Sequence, residues 1–163
     1  MDNARILEHY AASPVIAVSS CEQGEPDMKP EGFWVSVKGE YDWPSFCKSE
    51  GFRLDTLQFR HSVELADTAN ILWLTEPWQI DDLDLKYARN PGAMPSYWVD
   101  WRALAERYDG IIIAPYQWSR RLDGPSWYYG WDCASGCIWN ASAISSIVVA
   151  EDYANVAMAT PDA

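Results

Sequence analysis

The sequence predicts a single α+β domain in which short helices are inserted between strands. Three observations carry that expectation. Short runs of β-branched and aromatic residues recur along the chain, bounded by Gly, Pro, Asn and Asp. Segments with helical spacing are brief, and strands and helices do not alternate regularly, which argues against a doubly wound parallel sheet. With 163 residues, 48% of them apolar, the chain has the size of one ordinary domain with a full core.

Ile6-Leu7-Glu8-His9-Tyr10 and Pro14-Val15-Ile16-Ala17-Val18 read as short strands, parted by a small-residue turn at Ala11-Ala12-Ser13. Residues 19–30 are polar and contain Gly and Pro, as loops do. In Gly32-Phe33-Trp34-Val35-Ser36 aromatic and small residues alternate, so a strand presents Trp34 and Ser36 on one side and sends Phe33 and Val35 to the core. Gly32 lets backbone approach a ligand closely. Asp42 is placed to cap a helix of about two turns, with Pro44 in its first turn and Gly51 at its end.

Residues 62–65 and 70–75 are the next strands, and the acidic run Asp81-Asp82-Leu83-Asp84 belongs on the solvated side of a loop or helix start. Asn90-Pro91-Gly92 and Pro95 make residues 86–98 an irregular excursion, long enough to cover a cleft. Asp100 opens a helix on which Trp101, Leu104, Ala105 and Tyr108 share a face. Ile111-Ile112-Ile113-Ala114 is continuously apolar, the mark of a strand buried on both faces. Residues 118–124 read as a loop, residues 135–140 and 144–149 as late strands, and residues 151–163 as a loose tail after a domain spanning residues 1–150.

A net charge of −12 repels phosphate backbones, so nonspecific coating of nucleic acid is disfavoured. No basic start precedes an apolar run, and no stretch approaches the roughly 20 apolar residues that span a bilayer, so a cytoplasmic protein without membrane contact is expected. Ten Trp and nine Tyr supply flat amphipathic rings suited to ligand clefts. Cys21, Cys47, Cys133 and Cys137 are expected as reduced thiols. Cys133 and Cys137 lack zinc-knuckle spacing and have no nearby His, so no metal site is expected. The motifs of nucleotide triphosphatases, dehydrogenases, Gly-x-Ser-x-Gly hydrolases and His-Glu-x-x-His proteases are missing.

The order of parts resembles the ADP-ribosyltransferase fold. A strand bears His9; a Gly-aromatic-x-Ser strand is followed by a short helix; a helix ends in Tyr108-Asp109-Gly110 before a buried strand; and a late strand carries Ser135, Ile138, Trp139 and Asn140. The chain is also similar to bacteriophage and bacterial proteins with a Lys-Pro-x-Gly-aromatic-Trp strand and a Trp-Asp-x-x-Ser-x-x-x-Trp-Asn ending. The resemblance implies a split β-sheet core and NAD as a substrate. It implies that His9 and Tyr10, Gly32, Trp34 and Ser36 bind NAD. Asp132 or Ser135 stands where the family has its catalytic Glu, with His9 assisting.

The chemistry explains the residue types. Loss of nicotinamide leaves an oxocarbenium-like ribose, which needs a carboxylate nearby, and Asp132 is the candidate. Trp34 can stack on a flat ring, and Lys29 is placed to approach a pyrophosphate. The acceptor of ADP-ribose would be a host protein or nucleic acid. The alternative, from a different class, is a non-catalytic acidic inhibitor of phage-encoded type that blocks a basic site on a host protein.

Overall fold

The computed structural model describes residues 5–92 and 95–150. Its framework is one seven-stranded sheet with short helices, the α+β class expected. The strands are β1 (Leu7–Ala11), β2 (Phe33–Val37), β3 (Phe59–Leu65), β4 (Ile71–Leu74), β5 (Gly110–Ile113), β6 (Ser135–Ile138) and β7 (Ile144–Val149), in the spatial order β4-β5-β6-β2-β1-β3-β7. Only β4 and β5 run parallel; every other pairing is antiparallel. The residues expected as a tail lie outside those described. No helix among the described residues is long and apolar enough to cross a membrane.

The helices are α1 (Trp43–Glu50), α2 (Pro77–Tyr87), α3 (Trp101–Ala105) and α4 (Trp118–Arg121). Helix α1 follows its sequence signals. The Asp42 carboxylate accepts from the Ser45 N–H at 3.0 Å, Pro44 sits in the first turn, and Gly51 closes the helix in the left-handed region at φ 61°. Its opening Trp43 N–H is received by the Ser36 hydroxyl of β2 at 2.9 Å, which anchors α1 beside the sheet.

Three expectations need correction. Residues 14–18 form no strand. They belong to a strap whose Val15 N–H donates to the Nε2 atom of His61 at 2.8 Å, so a side chain replaces a ladder partner. The acidic run lies inside α2, and Asp84 is buried. It accepts from the Ser96 hydroxyl at 2.6 Å, the Trp127 indole N–H at 3.1 Å and the Gly92 N–H at 3.1 Å, tying the excursion to the helix. Residues 118–121 form a helical turn, held at its end by Arg120 clamping Asp81 of α2 through contacts of 2.7–3.0 Å.

Strand alternation divides the sheet into two faces. The register Glu8↔Ser36 places Glu8, Tyr10, Trp34 and Ser36 on one face, with Leu7, His9, Phe33 and Val35 on the other. Strands β5 and β6 are buried along their whole length, as the apolar run predicts. The strap covers part of the His9 face. There His61, fully buried, donates from Nδ1 to the His9 carbonyl at 3.0 Å while its Nε2 holds the strap.

His61→Ala is expected to lower stability by about 3 kcal/mol, because it leaves a cavity and two unpaired backbone groups. Urea unfolding should show a lower midpoint, and faster hydrogen exchange should appear at Val15. A loss below about 1 kcal/mol would show that the strap is held elsewhere.

Candidate functional site

Strands β1 and β2 are paired only through Leu7↔Val37 and Glu8↔Ser36 and then part. Beyond that point the Trp34 carbonyl is taken by the His9 side chain, whose Nδ1 donates to it at 2.6 Å. A pocket of about 330 Å³ opens beside the parting strands, at the small end of the size range of ligand sites. β1 contributes Glu8, His9 and Tyr10; β2 contributes Trp34 and Ser36; Trp43, Arg53 and Thr56 also line it, and the segment entering β6 supplies Trp131, Asp132, Cys133 and Ser135.

Of the residues expected from sequence, His9, Tyr10, Trp34, Ser36, Asp132 and Ser135 therefore gather, although more than 120 positions separate the first from the last. Trp34 is half-buried and meets the edge of Trp131 at 5.0 Å, with the Lys29 ammonium 5.5 Å from its ring centroid. Asp132 keeps 29% of its side chain exposed and lies 3.7 Å from the Arg121 guanidinium. Arg121 is itself held by donating to the Tyr116 hydroxyl at 2.6 Å. The Ser135 hydroxyl donates to the Cys133 carbonyl at 3.0 Å, and Tyr10 donates to Glu8.

Two expected roles change. Gly32 is outside the pocket: a Cβ there would sit 2.6 Å from the Ile138 carbonyl oxygen and 2.9 Å from the Cys137 sulfur. The close approach it permits is therefore to β6 rather than to a ligand. His9 borders the pocket, but its ring stacks on Phe33 at 4.2 Å on the other face of the sheet. Burial holds its pKa below the ordinary value, partly offset by the Trp34 carbonyl, so the neutral ring serves as a buttress for β2.

Sequence reasoning missed Glu8, Arg53 and Trp131. Glu8 is 2% exposed; it accepts from the Tyr10 hydroxyl at 2.6 Å and from Arg60 at 2.8 Å. Its signal was present, since a charged residue alternating with Leu7 and His9 belongs to the same face as Tyr10. Arg53 lies in the left-handed region at φ 47°, a conformation costly for a non-glycine residue, and no local pattern announces it. Trp131 is fully buried, and its indole N–H lacks an acceptor among the described residues.

The electrostatics favour a ligand with negative charge and hydroxyl groups. Lys29 and Arg53 stand at the pocket with no carboxylate within ion-pair distance among the described residues. Glu8 and Asp132 supply acceptors. Cys133 is no nucleophile at neutral pH, because burial pushes its thiol up to about 12. Comparison with protein families, curated proteins and solved structures returns no match to this chain.

Proposed function

We propose that the chain binds NAD in the pocket where β1 and β2 part and transfers its ADP-ribose to a protein or nucleic acid. The observation that carries this reading is the convergence of Trp34 and Asp132 with Lys29 and Arg53, two cations that have no ion-pair partner among the described residues. Each answers one part of the molecule. The indole stacks on a planar base or on nicotinamide, the cations face the pyrophosphate, and the carboxylate faces the ribose that becomes positively charged. A pocket of about 330 Å³ encloses a nucleoside-sized portion, leaving the rest across the open side.

Calorimetric titration with NAD and detection of released nicotinamide test the proposal. Trp34→Ala is expected to weaken NAD binding about tenfold or more, the worth of one lost stacking contact, with an unchanged circular dichroism spectrum. Absence of binding to the unaltered protein would remove the reading. An unfolded variant would instead make Trp34 a core residue.

A second reading draws on the surface of α2, where Trp78 and Leu85 are exposed two turns apart on one face, with Asp82 between them paired to Lys86. An exposed aromatic and apolar stripe on a chain of net charge −12 suits a non-catalytic binder of a basic protein. Such a complex weakens steeply with added salt, whereas NAD held in a cleft is much less sensitive.

A further inference from the structure

We propose that the strap over residues 12–20 is an acid-released latch, closed while the His61 ring is neutral and opened when that ring takes up a proton. The latch is independent of the ligand read into the pocket. The strap leaves β1 after Ala11 and is anchored again at Ser20, whose hydroxyl accepts from the Ala141 N–H at 2.9 Å. Between these points one hydrogen bond holds it among the described residues, from the Val15 N–H to Nε2 of His61. Packing adds little. Val15 and Val18 are half-buried, but the other residues of the strap are exposed, and Ile16 keeps 89% of its surface in solvent. A segment with so few contacts has low local stability, so the loss of a single bond decides its state.

Both ring nitrogens of His61 are committed. Nδ1 carries the hydrogen given to the His9 carbonyl, so Nε2 is the bare nitrogen that accepts from Val15. A second proton can add only at Nε2. There it turns an acceptor into a donor facing another donor, and the attraction that holds the strap is lost.

The surroundings give an imidazolium no compensation. β1 presents His9, its ring centroid 5.6 Å from that of His61, and a second basic ring disfavours the cation. Phe33 of β2 stacks on His9 and brings no charge. β7, which pairs Val149 with His61, has no ionisable side chain, and neither has the strap. On β3 itself Arg60 and Glu64 turn to the opposite face, Arg60 to Glu8 at 2.8 Å and Glu64 to the Ser146 hydroxyl at 3.0 Å. No carboxylate lies within ion-pair distance of either imidazole among the described residues. A buried cation without a partner is costly, so protonation and the closed strap exclude each other.

Opening lets water reach the ring, and a solvated imidazole takes up its proton at about pH 6.5. The open state therefore binds one proton more than the closed one. Closure is complete above that pH, and each unit below it favours opening about tenfold. His9 acts in the same sense, because burial and the neighbouring His61 hold its pKa below the ordinary value while it is covered. Its ring also holds the Trp34 carbonyl at 2.6 Å, which places the latch next to the pocket wall.

The test follows the unaltered protein by NMR from about pH 8 to about pH 5, the range over which imidazoles change charge. The His61 ring, the Val15, Ile16 and Ala17 amides of the strap and the Ile112 amide of the core are read separately. The strap amides are expected to move toward disordered values with the same midpoint as the His61 ring, while Ile112 stays in place. His61→Gln is the companion variant. Its side-chain oxygen can accept from Val15 and does not titrate, so its strap is expected to stay closed over the whole range.

The inference falls if the His61 ring titrates while the strap amides stay in place, or if ring and strap are both unchanged down to about pH 5. Loss of the Ile112 signal together with the strap also overturns it, since that is unfolding of the whole domain. A His61→Gln strap that opens like the unaltered one assigns the switch to another group. If that variant does not fold, the titration of the unaltered protein decides alone.

Discussion

Gly136→Val is expected to abolish folding. Gly136 lies in β6, flanked by Val35 of β2 on one side and Ile112 of β5 on the other. A Cβ at this position would sit 2.4 Å from the Ile112 side chain and 2.5 Å from the Ile111 carbonyl oxygen, with the Ile112 Cα at 2.9 Å. Two of these contacts are with backbone, which cannot rotate away. Nor can β6 retreat, because it is hydrogen-bonded on both edges. The cost exceeds about 5 kcal/mol, comparable to the whole stability of many domains. Insoluble expression, or loss of dispersed amide resonances, is the expected readout. Gly24→Ala is the control, since nothing lies within 4 Å of its added methyl. A Gly136→Val variant with unaltered melting would contradict the pairing of β6 with β5.

The double change Lys29→Glu with Arg53→Glu is expected to weaken NAD binding at least about hundredfold, since each cation contributes about 1.5–3 kcal/mol through charge-assisted hydrogen bonds to phosphate. The new carboxylates add repulsion. Both side chains are exposed, so the fold should survive with little change in melting temperature. Calorimetry at two salt concentrations measures the effect. The same variant separates the two functional readings, because a binder of basic surfaces would gain affinity from added negative charge. Unchanged NAD affinity would show that the pyrophosphate lies elsewhere.

Local chemistry made much of the framework legible. Helix α1 carries its own start and stop in Asp42, Pro44 and Gly51, and β5 announces itself by uninterrupted isoleucine. The face of β2 that bears Trp34 and Ser36 follows from a two-residue period. Signals failed where a long-range partner decided the outcome. The strap at residues 14–18 has strand-forming composition, yet its Val15 N–H is drawn to His61, far away in sequence. Asp84 reads as a solvated acid, but the distant Ser96 and Trp127 provide donors that allow its burial.

The pocket shows the same division. Alternation along β2 pointed to Trp34 and Ser36, whereas Tyr10 and Asp132 entered through the resemblance to the ADP-ribosyltransferase fold; all four line one pocket. Neither signal showed that the His9 ring stacks on Phe33 while it borders the pocket, nor that the small size of Gly32 serves a neighbouring strand. Arg53 could not be read at all, since a left-handed backbone at a non-glycine residue is imposed by the packing around it.

By itself, then, the sequence determined the α+β class, most elements and the chemical character of the site, because these depend on period, capping and residue type within a few positions. The tertiary structure alone decided that Glu8 and Asp132 share one pocket with Lys29 and Arg53. That arrangement comes from antiparallel pairing that carries β6 to the flank of β2 and from the parting of β1 and β2, and neither is encoded in any single segment.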